Sequence, residues 1–322
     1  MGMRRKTNKH LPRRMYQRRG KYYFVDVSGR WHPLGPDYVK AMGAYAELTG
    51  PGRPCVTMEN VIEKYRLHVL PHKAKATQKA NGSQLTRLAS VFGDMLPDDV
   101  TQQHIYQYMD ERAAVPTAAR HEVTLLHHVF VKAIRWGAAT KNPAHGIEKP
   151  RSRPRDRYVT DKEFLAVQAL AIPPLQVAMD LALLTGLRRG DLLNLTRDSL
   201  TDDGLLVKSQ KTGKALLFEY TDALNAALSR AKKLRPQLPG HYLIRTREGK
   251  QYTGSGFSAN WQRLMRKAQQ NGIEKFTFHD IRAKSASDSA SLQEASERLG
   301  HTSMEVTNRI YMRVPHRVKP LK

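Results

Sequence analysis

Six polar residues spread over the last 135 positions carry the chemistry that this chain advertises: Arg188, Lys211, His279, Arg282, His301 and Tyr311. Two guanidiniums can grip a phosphate through paired N–H donors. A lysine can protonate a leaving oxygen, and a histidine titrating near neutrality can move a proton beside a held phosphate. A phenol with a pKa near 10 is a poor nucleophile unless cations and a base assist it. Together the set suits attack of a tyrosine oxygen on a phosphodiester.

Each residue sits in a local pattern that places it. An apolar helix over Leu175 to Leu184 runs into Thr185-Gly186-Leu187-Arg188-Arg189-Gly190-Asp191, where Gly186 permits a tight turn and Arg188 reaches the mouth of the element. Asp191 falls on the face of Arg188, and either pins an arginine or histidine or pairs with a surface charge. The run lacks the Gly-Lys-Ser/Thr ending of a phosphate-binding P-loop. Leu205–Val207 and Ala215–Phe218 read as strands joined by Lys208 to Lys214, which puts Lys211 at a hairpin tip. A tip lysine equally fits a solvated charge. In Phe276-Thr277-Phe278-His279-Asp280-Ile281-Arg282, three-residue spacing sets His279 and Arg282 on one helical face. His301 follows Gly300, which ends a helix from about Ser291 to Arg298, and Tyr311 lies on a helix from about Ser303 to Met312.

Composition limits the partners. Against 29 acids stand 54 Lys and Arg, for a formal net charge of +25, far more than solubility requires. Such an excess suits a polyanion, nucleic acid before an acidic membrane surface, because each cation set against a phosphate releases counterions. Cys55 is the single cysteine, which excludes an intramolecular disulfide and a cysteine-rich zinc site and fits a reducing cytoplasm. No segment approaches the apolar length of a membrane span, and no leader is read at the N-terminus. Neither an acidic cluster for magnesium nor a His-Glu-x-x-His pattern is present, so no metal or other cofactor is expected.

The organisation is expected to be α+β and mostly helical, in four parts. Residues 1–50 hold a small basic strand-and-helix module, with ten Lys or Arg and one acid in the first thirty positions. There Lys21 to Val27 forms a strand, Ser28-Gly29-Arg30 turns it into a second through Trp31 and Leu34, and a helix runs from Tyr38 to about Leu48. After a Gly/Pro linker over Thr49 to Pro54, residues 55–148 make a helical domain of four helices, Val56–Val69, Lys75–Phe92, Thr101–Arg112 and Thr117–Thr140. The adjacent His127 and His128 point to different faces and read as surface or packing histidines. Residues 149–157 form a connector with five basic residues, one acid and two prolines. Residues 158–322, opened by a capping box of Thr160 and Glu163, carry the chemistry on a mixed domain with a small sheet. Candidate DNA-backbone contacts are Arg4, Arg5, Lys6, Arg13, Arg14, Arg18 and Arg19 in the first module and Arg151, Arg153 and Arg155 in the connector.

As an ordered set, Thr185-Gly186-Leu187-Arg188, Lys211 in Lys-Thr-Gly, His279-Asp280-Ile281-Arg282, Leu299-Gly300-His301 and Tyr311 resemble the tyrosine recombinases, phage integrases included, over about residues 160–315. The helical domain is similar to that family's core-binding domain, and the basic first fifty residues are similar to the arm-binding module of some phage integrases. The resemblance implies that Tyr311 attacks a DNA phosphate to leave a 3′-phosphotyrosine and a free 5′-hydroxyl. It implies that Arg188, Arg282 and His301 stabilise the non-bridging oxygens, that Lys211 protonates the leaving 5′ oxygen and that His279 assists proton transfer. It further implies a homotetramer on double-stranded DNA at specific attachment sites, working in the cytoplasm of a bacterial host with accessory directionality or DNA-bending proteins, without metal or ATP. From His301 to Tyr311 is ten residues, one more than the family's usual nine, and the loop Thr302 to Glu305 is expected to absorb the addition. A type IB topoisomerase, which shares a similar site, and a catalytically dead DNA-binding protein of the same fold stay open as alternatives.

Overall fold

Leu11 and Met15 belong to the apolar core of the N-terminal part in the computed structural model, which describes residues 11–12, 14–26, 29–49, 56–150, 155–234 and 241–314. Arg4, Arg5, Lys6, Arg13, Arg151 and Arg153, and the linker beyond Thr49, lie outside these residues. Three antiparallel strands, β1 (Met15–Arg18), β2 (Lys21–Val25) and β3 (Trp31–Gly35), form a sheet in the order β1-β2-β3. The sequence reading gave two strands. It lacked β1 because Met15 alone in that strand is buried, so no apolar alternation betrays it. Arg19 and Gly20 both adopt positive φ, the geometry of a tight hairpin turn, and fold β1 onto β2. One face of the sheet packs Met15, Tyr22 and Leu34 on Ala41 and Tyr45 of α1 (Tyr38–Thr49). The other carries Tyr16, Tyr23 and Trp31, with Arg18 stacked 4.8 Å above the indole.

Four helices follow: α2 (Met58–His68), α3 (Lys75–Phe92), α4 (Gln102–Glu111) and α5 (Pro116–Arg135). Thr57 with Asn60 and Thr101 with His104 close reciprocal caps at the starts of α2 and α4. The last helix stops at Arg135 rather than Thr140, because Gly137 turns the chain at φ 72° just beyond the Trp136 cap. Val61, Leu88, Ile105, Val123 and Phe130 belong to the shared apolar core. Within it, Glu122 is a buried carboxylate satisfied by Arg87, Arg112 and the Tyr108 hydroxyl at 2.6–3.1 Å. His128 meets the Tyr65 hydroxyl at 2.6 Å and His127 meets Asn142, so both are packing histidines.

Met1–Ser152 and Arg153–Lys322 are separate compact units. In the second, Thr160 and Glu163 close the expected box at the start of α6 (Asp161–Leu170). It continues with α7 (Pro173–Thr185), α8 (Arg189–Leu193), the hairpin β4 (Leu205–Lys208) and β5 (Ala215–Phe218), α9 (Asp222–Lys233) and α10 (Gly254–Gln270). The unit is completed by α11 (Phe278–Ser287), α12 (Leu292–Leu299) and α13 (Met304–Tyr311). Phe257, Trp261, Phe276 and Phe278 meet edge to face at 4.8–5.7 Å in its core. A smaller cluster of Ala283, Ala286, Ala295 and Leu299 leaves room for one aromatic ring, that of Tyr311. Lys284 is fully buried, held by Asp161 at 2.6 Å, Asp288 at 2.8 Å and Tyr158 at 3.1 Å. Burial works against its charge, but these partners outweigh it and raise its pKa. Among the described residues no helix is long and apolar enough to cross a membrane.

Candidate active site

Arg282 joins the parts. Its side chain is 3% exposed, and its guanidinium donates to the carbonyl of Gly186 beyond α7 and, at 2.9 Å, to that of Leu299 at the end of α12. Helix C-termini present unsatisfied carbonyls and a negative dipole end, so a buried cation there is well matched. The same group thereby brings the Arg188 turn and the His301 turn to one point. Both turns begin with a left-handed glycine, Gly186 at φ 62° and Gly300 at φ 64°. A Cβ at Gly186 would also come within 2.6 Å of a terminal methyl of Leu299, which would have to shift, but it is the positive φ that calls for glycine there.

His301 sits between a donor and an acceptor. Its Nε2 lies 3.1 Å from Nη2 of Arg282 and its Nδ1 lies 2.8 Å from Oγ1 of Thr307. A guanidinium only donates, so Nε2 accepts and the ring proton resides on Nδ1, aimed at Thr307. Burial, followed by Arg282, Arg188 and Lys214, pushes the His301 pKa down to about 4, so the ring is neutral at pH 7. For Arg282, burial and then Arg188 pull the pKa down to about 10, which still leaves the group charged. His279 keeps an exposed edge yet is crowded on its other sides. That desolvation, with Arg282 next, lowers its pKa, and the ring is a neutral base.

Tyr311 is 8% exposed. Its hydroxyl lies 3.4 Å from Nε2 of His279, its ring 5.1 Å from that of His301, and the Arg282 guanidinium stands 5.3 Å over its face. α13 already begins at Met304, so only Thr302 and Ser303 bridge the turn to the helix, and the ten-residue spacing still delivers the phenol to His279. Two contacts that the sequence reading missed fix its position. Ser287 donates from Oγ to the Tyr311 carbonyl and accepts from the Arg313 amide, both at 2.9 Å. Arg313, 5% exposed in its side chain, pairs with buried Asp280 at 2.7 Å. Burial alone would raise the Asp280 pKa, but Arg313 and Thr277 hold it below the ordinary carboxylate range. No local sequence signal marks Ser287 or Arg313, since each acts on a partner more than twenty residues away.

Arg188 caps α8, half-buried, and its side chain has no hydrogen bond or ion pair among the described residues, which leaves its fork free for an anion. Asp191 pins neither an arginine nor a histidine. It is buried and accepts the Gln210 amide at 2.9 Å, which ties the hairpin loop to α8. Lys211 is exposed at the hairpin tip with no hydrogen bond or ion pair among the described residues, so it is the one candidate that the structure does not bring into contact with the rest. Beside the site a cavity of about 770 Å³ runs along α10, lined by Arg155, Arg188, Arg189, Arg266 and Lys275 over an aromatic floor. Of the other basic candidates, Arg14 is paired with Asp99 at 3.1 Å and Arg155 leans on Asp280 at 3.3 Å while 64% exposed.

The arrangement can hold a tetrahedral anion between guanidiniums, with a phenol and a neutral base alongside. Comparison with known proteins agrees in kind. The chain is 28% identical to the integrase of Enterobacteria phage 434 and 27% identical to that of Escherichia phage lambda, each over 94% of both chains. A lambda integrase dimer bound to a COC′ core site superimposes with a TM-score of 0.72 at 23% identity, over 98% of this chain and 99% of that one. A Tn1549 transposon integrase in complex with circular intermediate DNA gives 0.66 at 16% identity, over 82% and 96%. Residues 162–317 match the sequence model of the Phage integrase family, and this segment belongs to that family of tyrosine recombinases.

Proposed function

We propose that this protein is a site-specific recombinase of phage-integrase type that cuts and rejoins duplex DNA at the site built by Arg188, Lys211, His279, Arg282, His301 and Tyr311. The observation that carries the reading is the Tyr311 hydroxyl 3.4 Å from a neutral His279, beneath Arg282 and near an unpaired Arg188. In the forward step the Tyr311 oxygen forms a bond to phosphorus while the bond from phosphorus to the 5′ oxygen breaks. The phenol proton passes to His279, and the departing oxygen takes a proton from Lys211, which swings in from the hairpin tip. Arg188 and Arg282 offset charge on the non-bridging oxygens, the largest contribution expected in such transfers. His301, whose Nε2 accepts from Arg282 in the free protein, becomes a donor there by taking up a second proton from solvent once the phosphate anion opposes the positive field that lowers its pKa. One phosphoester replaces another, so the reverse step needs no external energy.

The remaining parts suit duplex DNA. Residues 55–148 serve as the core-binding domain, and residues 1–50 present Tyr16, Arg18 and Trp31 on an open sheet face suited to an arm-type site. The connector 149–157 follows the backbone, and 158–322 is the catalytic domain. Lambda integrase has been seen as a tetramer bound to a Holliday junction. The same assembly is inferred here, in the cytoplasm of a bacterial host, with accessory DNA-bending or directionality proteins. Trapping on nicked duplexes taken from DNA flanking the gene tests the reading. Wild type should give a detergent-resistant protein–DNA adduct and Tyr311→Phe none, with DNA binding retained; an adduct from Tyr311→Phe would remove Tyr311 from the role.

A further inference from the structure

Lys214, at the base of the β4–β5 hairpin, is a cation that the six-residue set leaves out. Cross-strand register places Val207 opposite Leu216, and Lys214 is closed against Ser209 by a hydrogen bond from the Ser209 amide to the Lys214 carbonyl at 2.8 Å. Residues two apart share a face, so Lys214 projects on the side of Leu216, with Val207 and Ser209, both of which are buried. That face lies directly on the catalytic turn. A methyl group built on Gly300 would stand 2.9 Å from a terminal carbon of Leu216, so the strand rests against the residue preceding His301. A small cleft there is lined by Lys214, Thr212, Arg188 and Arg282, and Lys211 is not on its wall. Lys214 has no carboxylate partner among the described residues.

From this placement we infer that Lys214 is a further catalytic residue, which contacts a non-bridging oxygen of the scissile phosphate beside Arg188 and Arg282, while Lys211 serves the leaving oxygen. The assignment rests on the recombinase reading above. The field of Lys214 reaches the site already, as one of the three cations that depress the His301 pKa. Asp191 gives the device rigidity, because its hold on Gln210 keeps the loop against α8. Two lysines three positions apart on one hairpin thus take different oxygens, one from the base and one from the tip.

The test uses the full-length protein and a nicked duplex trapped by wild type, prepared with its ordinary phosphate and with sulfur in place of the scissile 5′ oxygen. A thiolate leaves without taking a proton. Lys214→Met should slow adduct formation about 10- to 100-fold on both substrates, the scale of losing one partly exposed donor to the phosphate. Lys214→Arg should restore part of the rate, and neither variant should change duplex affinity more than a few-fold. Lys211→Met should be slow on the oxygen substrate and restored on sulfur. Wild-type adduct formation by Lys214→Met, a loss matched by lost affinity, or restoration of Lys214→Met by sulfur would each overturn the assignment. No adduct from wild type would overturn the parent reading and this one with it, whereas a Lys214 failure with wild type and Tyr311→Phe behaving as expected would leave the parent reading standing.

Discussion

Ser287→Ala isolates what it takes to aim Tyr311. The hydroxyl makes two hydrogen bonds, to the Tyr311 carbonyl and from the Arg313 amide, both at 2.9 Å. A hydrogen bond contributes about 0.5–1.5 kcal/mol net, and Ser287 is half-buried, so water replaces part of what is lost. The two together then amount to about 1–2 kcal/mol. If that energy holds Tyr311 against His279, its loss lowers the rate of covalent cleavage roughly 5- to 30-fold, at about 1.4 kcal/mol per factor of ten. The same loss should lower Tm by roughly 2–8 °C for a unit of this size. Single-turnover adduct formation on a nicked duplex, with binding measured in parallel on the same DNA, separates the effects. A variant that melts earlier but cleaves within twofold of wild type would refute the reasoning, since Ser287 would then secure the helix without aiming the phenol.

Two further outcomes follow from buried charge. His301, with its pKa pushed down to about 4, titrates near 6.5 when unfolded, so the unfolded chain binds more protons between those values. Stability is therefore complete above about pH 6.5 and falls as pH drops toward 4, with His279 acting in the same direction. Melting of the DNA-free protein should move to lower temperature from pH 7 to pH 5, and His301→Gln should flatten that slope; equal slopes would contradict the neutral His301. Lys284→Met strands Asp288 and Tyr158 beside an apolar side chain. Breaking a buried pair costs about 3–5 kcal/mol, but Asp161 is 83% exposed, so about 2–3 kcal/mol is expected, read as a Tm lower by roughly 5–10 °C.

What the sequence discloses is whatever is decided within a turn or two. The boxes at Thr160, the left-handed glycines 186 and 300 and the one-face pairing of His279 with Arg282 each depend on neighbours in the chain, and each appears where its pattern put it. Long-range partners leave no such trace. Asp191, for which the sequence allows two roles, takes a third, a backbone amide nineteen residues away. Strand β1 has a single buried side chain and exists because β2 pairs with it. The lysine in the matching triplet, Lys211, stands at the tip, while strand register alone turns Lys214 toward the site.

The pairing of Arg313 with Asp280 sets a practical limit on how the protein can be cut or tagged. The carboxylate is 3% exposed, and its Oδ1 takes the guanidinium of a residue only two positions beyond Tyr311. A truncation ending at Met312 would leave that charge to Arg155, which is mostly in solvent, and would strip Ser287 of its amide partner in the same stroke. Any reporter joined to this end belongs after Arg313, since the two residues that follow Tyr311 form part of its mount.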